Sequence, residues 1–323
     1  MAGPDLVVIG GPTAVGKTQV AVALAHHVPA EIICADSRTL YRGMDIGTAK
    51  PSPAARSAVP HHLLDVADPD QTVTLAEYQT LARRAIDEIR ARRRLPLLVG
   101  GTGLYIRAVV DGVAIPPASP DWDLRARLEA EERTGGPGTL YRRLAGVDSI
   151  AAARIHPRNV RRIIRALEVH ARTGTPISAL QPQVGATGWA PPERGRGAAC
   201  MIALTLDRAA LYERIDRRIA GQLDGGLIDE VRALVRRGYP PSLPAMQSLG
   251  YKEIAASLAG AITLEEAVAR FRRNTRRYAK RQWTWFRGDP RYRWVDVGGD
   301  PAETVAARIH AMMNSERRPA GRP

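Results

Sequence analysis

The sequence predicts an α/β fold, a doubly wound parallel sheet interrupted by an inserted all-helical segment and continued by a helical C-terminal region. Three observations predict it. Short apolar runs alternate with helical periodicity over the first 110 residues. A proline-rich break follows near Ile115, and the pattern from Asp121 to about Leu180 is helical only. A strand-like apolar run then resumes at residues 198–206.

Taken in order, Leu6 to Gly10 is a short apolar run ending in glycine, which suits a buried parallel strand. Residues 17–27 have helical spacing, with Val20, Ala23, Leu24 and Ala25 available for packing. Residues 31–35 read as a second strand. Residues 75–94 read as an amphipathic helix with Leu75, Tyr78, Ala82, Ile86 and Ile89 on one face. Residues 95–99 are a third strand, and Leu104 to Val110 opens another helix. Pro116, Pro117 and Pro120 mark the break, residues 181–197 read as a Pro/Gly-rich loop, and the stretch from Arg208 to about Met312 is mostly helical. The chain thus divides into a core begun by residues 1–115, an inserted helical segment at 116–198, a core completed by 199–314 with the C-terminal helices, and a disordered tail at 315–323.

The turn after the first strand reads Gly11, Pro12, Thr13, Ala14, Val15, Gly16, Lys17, Thr18, the full pattern of a P-loop between a strand and a helix. It marks the sheet as P-loop NTPase-like. Backbone N–H groups and the helix N-terminus point at phosphate oxygens, Lys17 supplies a point charge, and the Thr18 hydroxyl is placed to ligate Mg²⁺. The loop alone admits ATP or another diphosphate, since kinases, NTPases and transferases with a diphosphate leaving group can use the same cradle.

The second strand runs into Asp36 and Ser37, which puts Asp36 at a carboxyl end beside the loop. It could hold a Mg²⁺ shell, act as a general base, or cap the following turn. After the third strand come Gly100, Gly101, Thr102 and Gly103. These glycines allow close backbone approach to a ligand, and Thr102 offers a hydroxyl at a helix start or an N-cap.

Lys and Arg total 47 against 33 Asp and Glu, a formal charge of +14. The surplus favours a polyanionic partner, although an Arg-rich codon bias would give the same total. The distribution discriminates better. Arg154, Arg158, Arg161, Arg162, Arg165 and Arg172 share 19 residues with one acid, Glu168. Pro157 is expected to start their helix, with Val160, Ile163, Ile164 and Leu167 on its apolar face. A second cluster from Arg270 to Arg293 includes Arg276, Arg277, Lys280 and Arg281, has only Asp289 as an acid, and interleaves Tyr278, Trp283, Trp285 and Phe286. Basic faces with aromatics suit a nucleic-acid backbone and stacked bases. Cys34 and Cys200 lie in strand-like runs and read as buried free thiols. No run of about 18 apolar residues exists to cross a membrane, and the first residues do not read as a secretory signal.

With these motifs the chain resembles the bacterial tRNA dimethylallyltransferases, also called tRNA isopentenyltransferases, over roughly Val7 to Trp294. The resemblance rests on the P-loop, on Asp36-Ser37 with residues 41–50, on Pro60-His61-His62-Leu63, on residues 99–105, on Arg165 to Val169, on Leu249 to Glu253, and on Thr275 to Gln282 with Thr284-Trp285-Phe286. It implies transfer of a dimethylallyl group from dimethylallyl diphosphate to N6 of adenosine 37, next to the anticodon. It further implies that Thr13 to Thr18 hold the diphosphate, that Asp36 takes the N6 proton, that Thr102 lines the reaction channel, and that Arg218 is a further diphosphate contact. Asp36, Ser37, Arg38, Thr39, Arg125, Arg161, Arg162, Ile163, Ile164, Arg165, Gln247, Ser248, Leu249, Gly250, Tyr251 and Lys252 match tRNA-contacting positions of the family. The family usually has Gln where this chain has Thr39, and Asn-Asp around Arg158-Asn159. The inserted segment then reads as a tRNA-binding subdomain, and the protein as a cytoplasmic monomer that uses Mg²⁺ and binds the anticodon stem-loop. Three rivals share parts of the pattern: a small-molecule P-loop kinase, a prenyltransferase acting on free AMP or ATP, and a non-catalytic nucleotide-dependent RNA-binding protein.

Overall fold

The computed structural model describes residues 4–116, 118–180 and 199–315, so the expected loop at 181–197 and the tail from 316 onward lie outside the described residues. Strands β1 (Leu6–Gly10), β2 (Ala30–Cys34), β3 (His61–His62), β4 (Leu95–Val99), β5 (Ala199–Thr205) and β6 (Arg293–Asp296) form one parallel sheet in the order β3-β2-β4-β1-β5-β6. Every β1 residue is buried, with Val7 opposite Leu97 and Cys200, as expected for a strand covered on both faces. The order makes the carboxyl ends of β1, β2 and β4 neighbours, which is where open α/β sheets bind ligands. Cys34 and Cys200 are buried, and neither forms a disulfide among the described residues.

The helices of the first part are α1 (Lys17–His27), α2 (Pro53–Ala58), α3 (Leu75–Ala91) and α4 (Gly103–Val110). Those of the next stretch are α5 (Trp122–Gly135), α6 (Thr139–Val147), α7 (Ser149–Arg154), α8 (Val160–Thr173) and α9 (Ile177–Leu180). After β5 come α10 (Arg208–Asp224), α11 (Leu227–Arg236), α12 (Tyr251–Leu258), α13 (Leu264–Arg287) and α14 (Ala302–Ser315). The described residues fall into two compact units, one of residues 4–73, 77–110 and 199–315, the other of 74–76 and 111–180.

In the first unit one face of the sheet shares an apolar core with α1 and α10 to α14, running from Val7 and Ile9 through Leu24 and Ile202 to Phe271 and Ile309. Two strands escape the sequence pattern. His61–His62 is too short to show alternation, and Arg293–Asp296 is an edge strand whose Arg and Asp mask its period.

The second unit is all helical and packs Leu128, Leu140, Leu144, Ala151, Ile163 and Leu167 together. Its arginine-rich helix does not start at Pro157. It starts at Val160, because Asn159 caps it by accepting from Arg162 N (3.4 Å). Glu168 on this helix is fully buried and accepts from Asp121 N (2.8 Å), from Arg125 Nε and Nη2 (2.8 Å each) and from Arg165 Nη1 (2.6 Å). Burial alone would push its carboxyl up, but the two guanidinium groups and the amide outweigh that and hold it at about 2.

Candidate active site

The site is assembled by three strand ends and two helices of the first unit. The P-loop after β1 turns sharply, with Gly11 at φ 138° and Gly16 at φ 104°, and a Cβ at Gly11 would meet Leu204 O at 2.6 Å. Lys17 folds back over the loop, its Nζ donating to Gly11 O (3.1 Å) and Pro12 O (2.7 Å). Burial pushes the Lys17 ammonium down to about 8, the Asp36 charge opposes the shift, and Arg218 adds to it. Arg218 of α10 is lowered by burial and raised by Asp36, and its Nε is buried without a hydrogen-bond partner among the described residues. Lys17, Arg218 and Asp36 therefore share one electrostatic neighbourhood. Two cations and an unpaired guanidinium N–H beside a nest of loop amides form a cradle built for a strongly anionic group.

One Asp36 oxygen accepts from Arg38 N (2.9 Å), so the capping role open from sequence is filled by half of the carboxylate. The other oxygen accepts no hydrogen bond among the described residues and is available to a proton. Thr102 N donates to Ala35 O (3.1 Å), and the Thr102 hydroxyl accepts from Ser37 N (3.1 Å), which ties the β4 turn to the residues around Asp36. Thr39 is buried and its hydroxyl donates to Asp36 O (3.3 Å).

Helix α13 lies over these strand ends. Gln282 accepts from Thr13 N (2.8 Å) and donates through Nε2 to Gly101 O (2.9 Å), so one buried amide fixes the P-loop against the β4 turn. Tyr278, one helical turn earlier, faces the same turn, and burial together with the Asp36 charge pushes its hydroxyl well up from the ordinary value, a shift that Thr102 opposes. The sequence shows both residues inside a motif and assigns neither a role. The readable signal was their i, i+4 spacing next to buried Ala279 and Phe286. Arg214 is a third missed residue, donating to Val15 O (3.4 Å) one turn before Arg218 on α10.

The residues expected to meet RNA are placed unevenly. Arg38 donates to Pro244 O (2.8 Å) and so links the Asp36 turn to the segment leading to α12. Within that segment Gln247 is exposed, Ser248 is buried, Leu249 is half-buried, Gly250 takes φ 88°, and Lys252 lies 3.8 Å from Glu253. Tyr251 is fully buried and donates to Glu230, which also accepts from Asp45 N, Ile46 N and Gly47 N. On α13, Arg277, Lys280 and Arg281 are exposed, while Arg276 is paired with Asp216. In the helical unit Arg161 and Arg162 are exposed, whereas Arg125 and Arg165 spend their charge on Glu168. Ile163 and Ile164 are 1% and 4% exposed, so their side chains serve the core.

No group of three His, Cys, Asp or Glu side chains forms a metal cage among the described residues. Mg²⁺ needs none, since it usually takes one or two protein oxygens and completes its shell with substrate phosphates and water. Thr18, at the start of α1, and Asp36 are the oxygens beside Lys17 that fit this arrangement.

Known proteins share both sequence and fold. The family model described as IPP transferase matches residues 39–289. A tRNA dimethylallyltransferase of Symbiobacterium thermophilum is 51% identical, over 97% of this chain and 96% of its own length. The crystal structure of the tRNA isopentenylpyrophosphate transferase of Bacillus halodurans is similar with a TM-score of 0.70 and 42% identity, covering 96% of each chain. A eukaryotic dimethylallyltransferase described as acting on tRNA is similar with a TM-score of 0.78 and 25% identity, covering 98% of this chain and 81% of that one. The resemblance carried by the motifs and the geometry of the strand ends meet in the same place: the chain belongs to the IPP transferase family of tRNA dimethylallyltransferases.

Proposed function

We propose that the protein moves the dimethylallyl group of dimethylallyl diphosphate to N6 of adenosine 37 in tRNA. The observation that carries this reading is the shared neighbourhood of Lys17, Arg218 and Asp36, an anion cradle with a carboxylate at its edge. The P-loop amides, Lys17 and Arg218 hold the diphosphate and stabilise the charge it gains as the allylic carbon–oxygen bond breaks. Thr18 would hold Mg²⁺, which when bound supplies further charge neutralisation at the leaving group. The adenine amine is a weak nucleophile, and the free oxygen of Asp36 accepts its proton as the carbon–nitrogen bond forms. Thr102 and Tyr278 fix the wall beside Asp36. The adenine must leave its stack to reach the donor.

The RNA is held by its phosphates. Arg161 and Arg162 of the helical unit, which makes residues 116–198 a tRNA-binding segment, supply cations, as do Arg277, Lys280 and Arg281 of α13. The Asp36–Thr39 turn and residues 247–252 offer backbone and polar contacts near the base. No described helix is long and apolar enough to cross a membrane. A monomer acting in the cytoplasm is consistent with this reading, and ATP would compete for the same loop if it binds.

Two measurements test the reading. With labelled dimethylallyl diphosphate and with unmodified tRNA, AMP and ATP as separate acceptors, label is expected in tRNA alone. Label in AMP or ATP, or phosphate transfer from ATP, would overturn it. The pH dependence follows from Lys17. The protonated ammonium is the form that binds an anion, and in the free protein it is lost as pH rises through about 8. Donor kcat/KM, which reports free-enzyme ionisations, is expected to fall above that pH and the fall to disappear in Lys17→Arg.

A further inference from the structure

Helices α10 and α13 enclose a groove of about 530 Å³ away from the residues assigned above to the reaction. Arg272, Arg273, Arg277 and Lys280 of α13 line it opposite Arg208 and Tyr212 of α10. All four α13 cations are exposed, and none has an acidic partner within ion-pair distance among the described residues. No acid is among the lining residues, and Arg276, a fifth α13 cation that lines the groove, is paired with Asp216. A solvated helix face usually mixes both signs, and this one does not. Like charges held this close repel one another, so the arrangement asks for an anion.

The shape of the charge says which anion. From Arg272 to Lys280 the cations run along eight residues of helix, about 12 Å at 1.5 Å per residue. A diphosphate is far shorter. One nucleic-acid strand carries a phosphate about every 3.4 Å of its axis, so the row matches three or so consecutive phosphates. Nor does the groove offer an uncontested aromatic platform for a base. The Tyr212 ring already carries the guanidinium groups of Arg208 (5.3 Å to the centroid) and Arg276 (5.2 Å), which compete with a base for stacking on it.

We infer that this groove is an RNA-backbone site that grips tRNA by phosphates flanking the reacting nucleotide, without reading sequence. It rests on the tRNA reading above and extends it to Arg208, which no sequence motif includes, and to Arg272 and Arg273, which the sequence places only within a broad basic cluster. Gln282 ties the same helix to Gly101 of the β4 turn, so the cations at 272 and 273 stand nine to ten residues, roughly 14–15 Å along the axis, from that anchor.

The test is Arg272→Ala/Arg273→Ala in the full chain. Loss of two phosphate contacts is expected to reduce the slope of log affinity for tRNA against log salt by about 1.4–1.8. KM for tRNA should rise about tenfold or more at moderate salt, with kcat at saturating tRNA and KM for dimethylallyl diphosphate unchanged. The matched pair Arg83→Ala/Arg84→Ala on the exposed face of α3 should leave the slope as it is. If wild-type protein modifies tRNA and the groove variant keeps the full slope and KM, the groove site is wrong while the function stands. A rise in donor KM instead would reassign the groove to diphosphate and also overturn the inference. If wild-type protein neither binds nor modifies tRNA, the underlying reading fails first.

Discussion

Asp36→Ala is expected to lower transfer to tRNA by about 10²-fold or more while tRNA affinity stays within a few fold. The side chain has two jobs that can be separated. One oxygen accepts from Arg38 N and shapes the turn, and the other has no partner among the described residues and can take the N6 proton. Asp36→Asn keeps an acceptor for Arg38 N and removes the base. If the base role is correct, both variants lose comparable rate in single turnover. If Asn retains near-normal turnover, the carboxylate acts through the turn alone. Removing Asp36 also removes the charge that opposes the downward shift of Lys17, so the alkaline fall in donor kcat/KM should move to lower pH in either variant.

Gly100→Ala is expected to cost a further 10²-fold or more in rate, from a residue that touches no substrate. A Cβ at this position would lie 1.9 Å from Ala35 O and 2.3 Å from its carbonyl carbon. Those are backbone atoms at the end of β2 and cannot step aside like a side chain. Ala35 N donates to Val99 O (2.8 Å), and Ala35 O accepts from Thr102 N (3.1 Å). Separating β2 from β4 there shifts Asp36 and Thr102 together, and a displacement of about 1 Å can cost about 10²-fold in rate. Stability should fall by about 1–3 kcal/mol, the usual range for overpacking. Urea unfolding gives that loss, and rates measured on the folded fraction give the catalytic one. Gly146→Ala on α6, where an added Cβ meets nothing within 4 Å, should leave turnover unchanged.

The sequence was most legible where its pattern has a single physical reading. The P-loop, with its strand before and helix after, determines local structure and ligand class together. Lys17 to His27 is both the expected and the observed span of α1. The four long strands are apolar runs of a buried parallel sheet and could be seen for the same reason. Less legible was anything set by partners distant in the chain. Nothing local in Gln282 says that it will bridge Thr13 and Gly101, 181 residues away from the latter. Nor could the arginine-rich helix reveal that Arg165 would be neutralised by Glu168 three residues on while Arg161 and Arg162 stay exposed. Charge clusters show an excess of cations, and packing decides which are left for a ligand.

The central claim is that the P-loop grips a leaving group, so the bond broken is carbon–oxygen. Dimethylallyl diphosphate carrying ¹⁸O in its bridging position tests it directly. With tRNA as acceptor, the account predicts that the label stays in the released diphosphate as dimethylallyl appears on the RNA. Label found in dimethylallyl alcohol, with phosphorus–oxygen cleavage and no alkylated RNA, would contradict it.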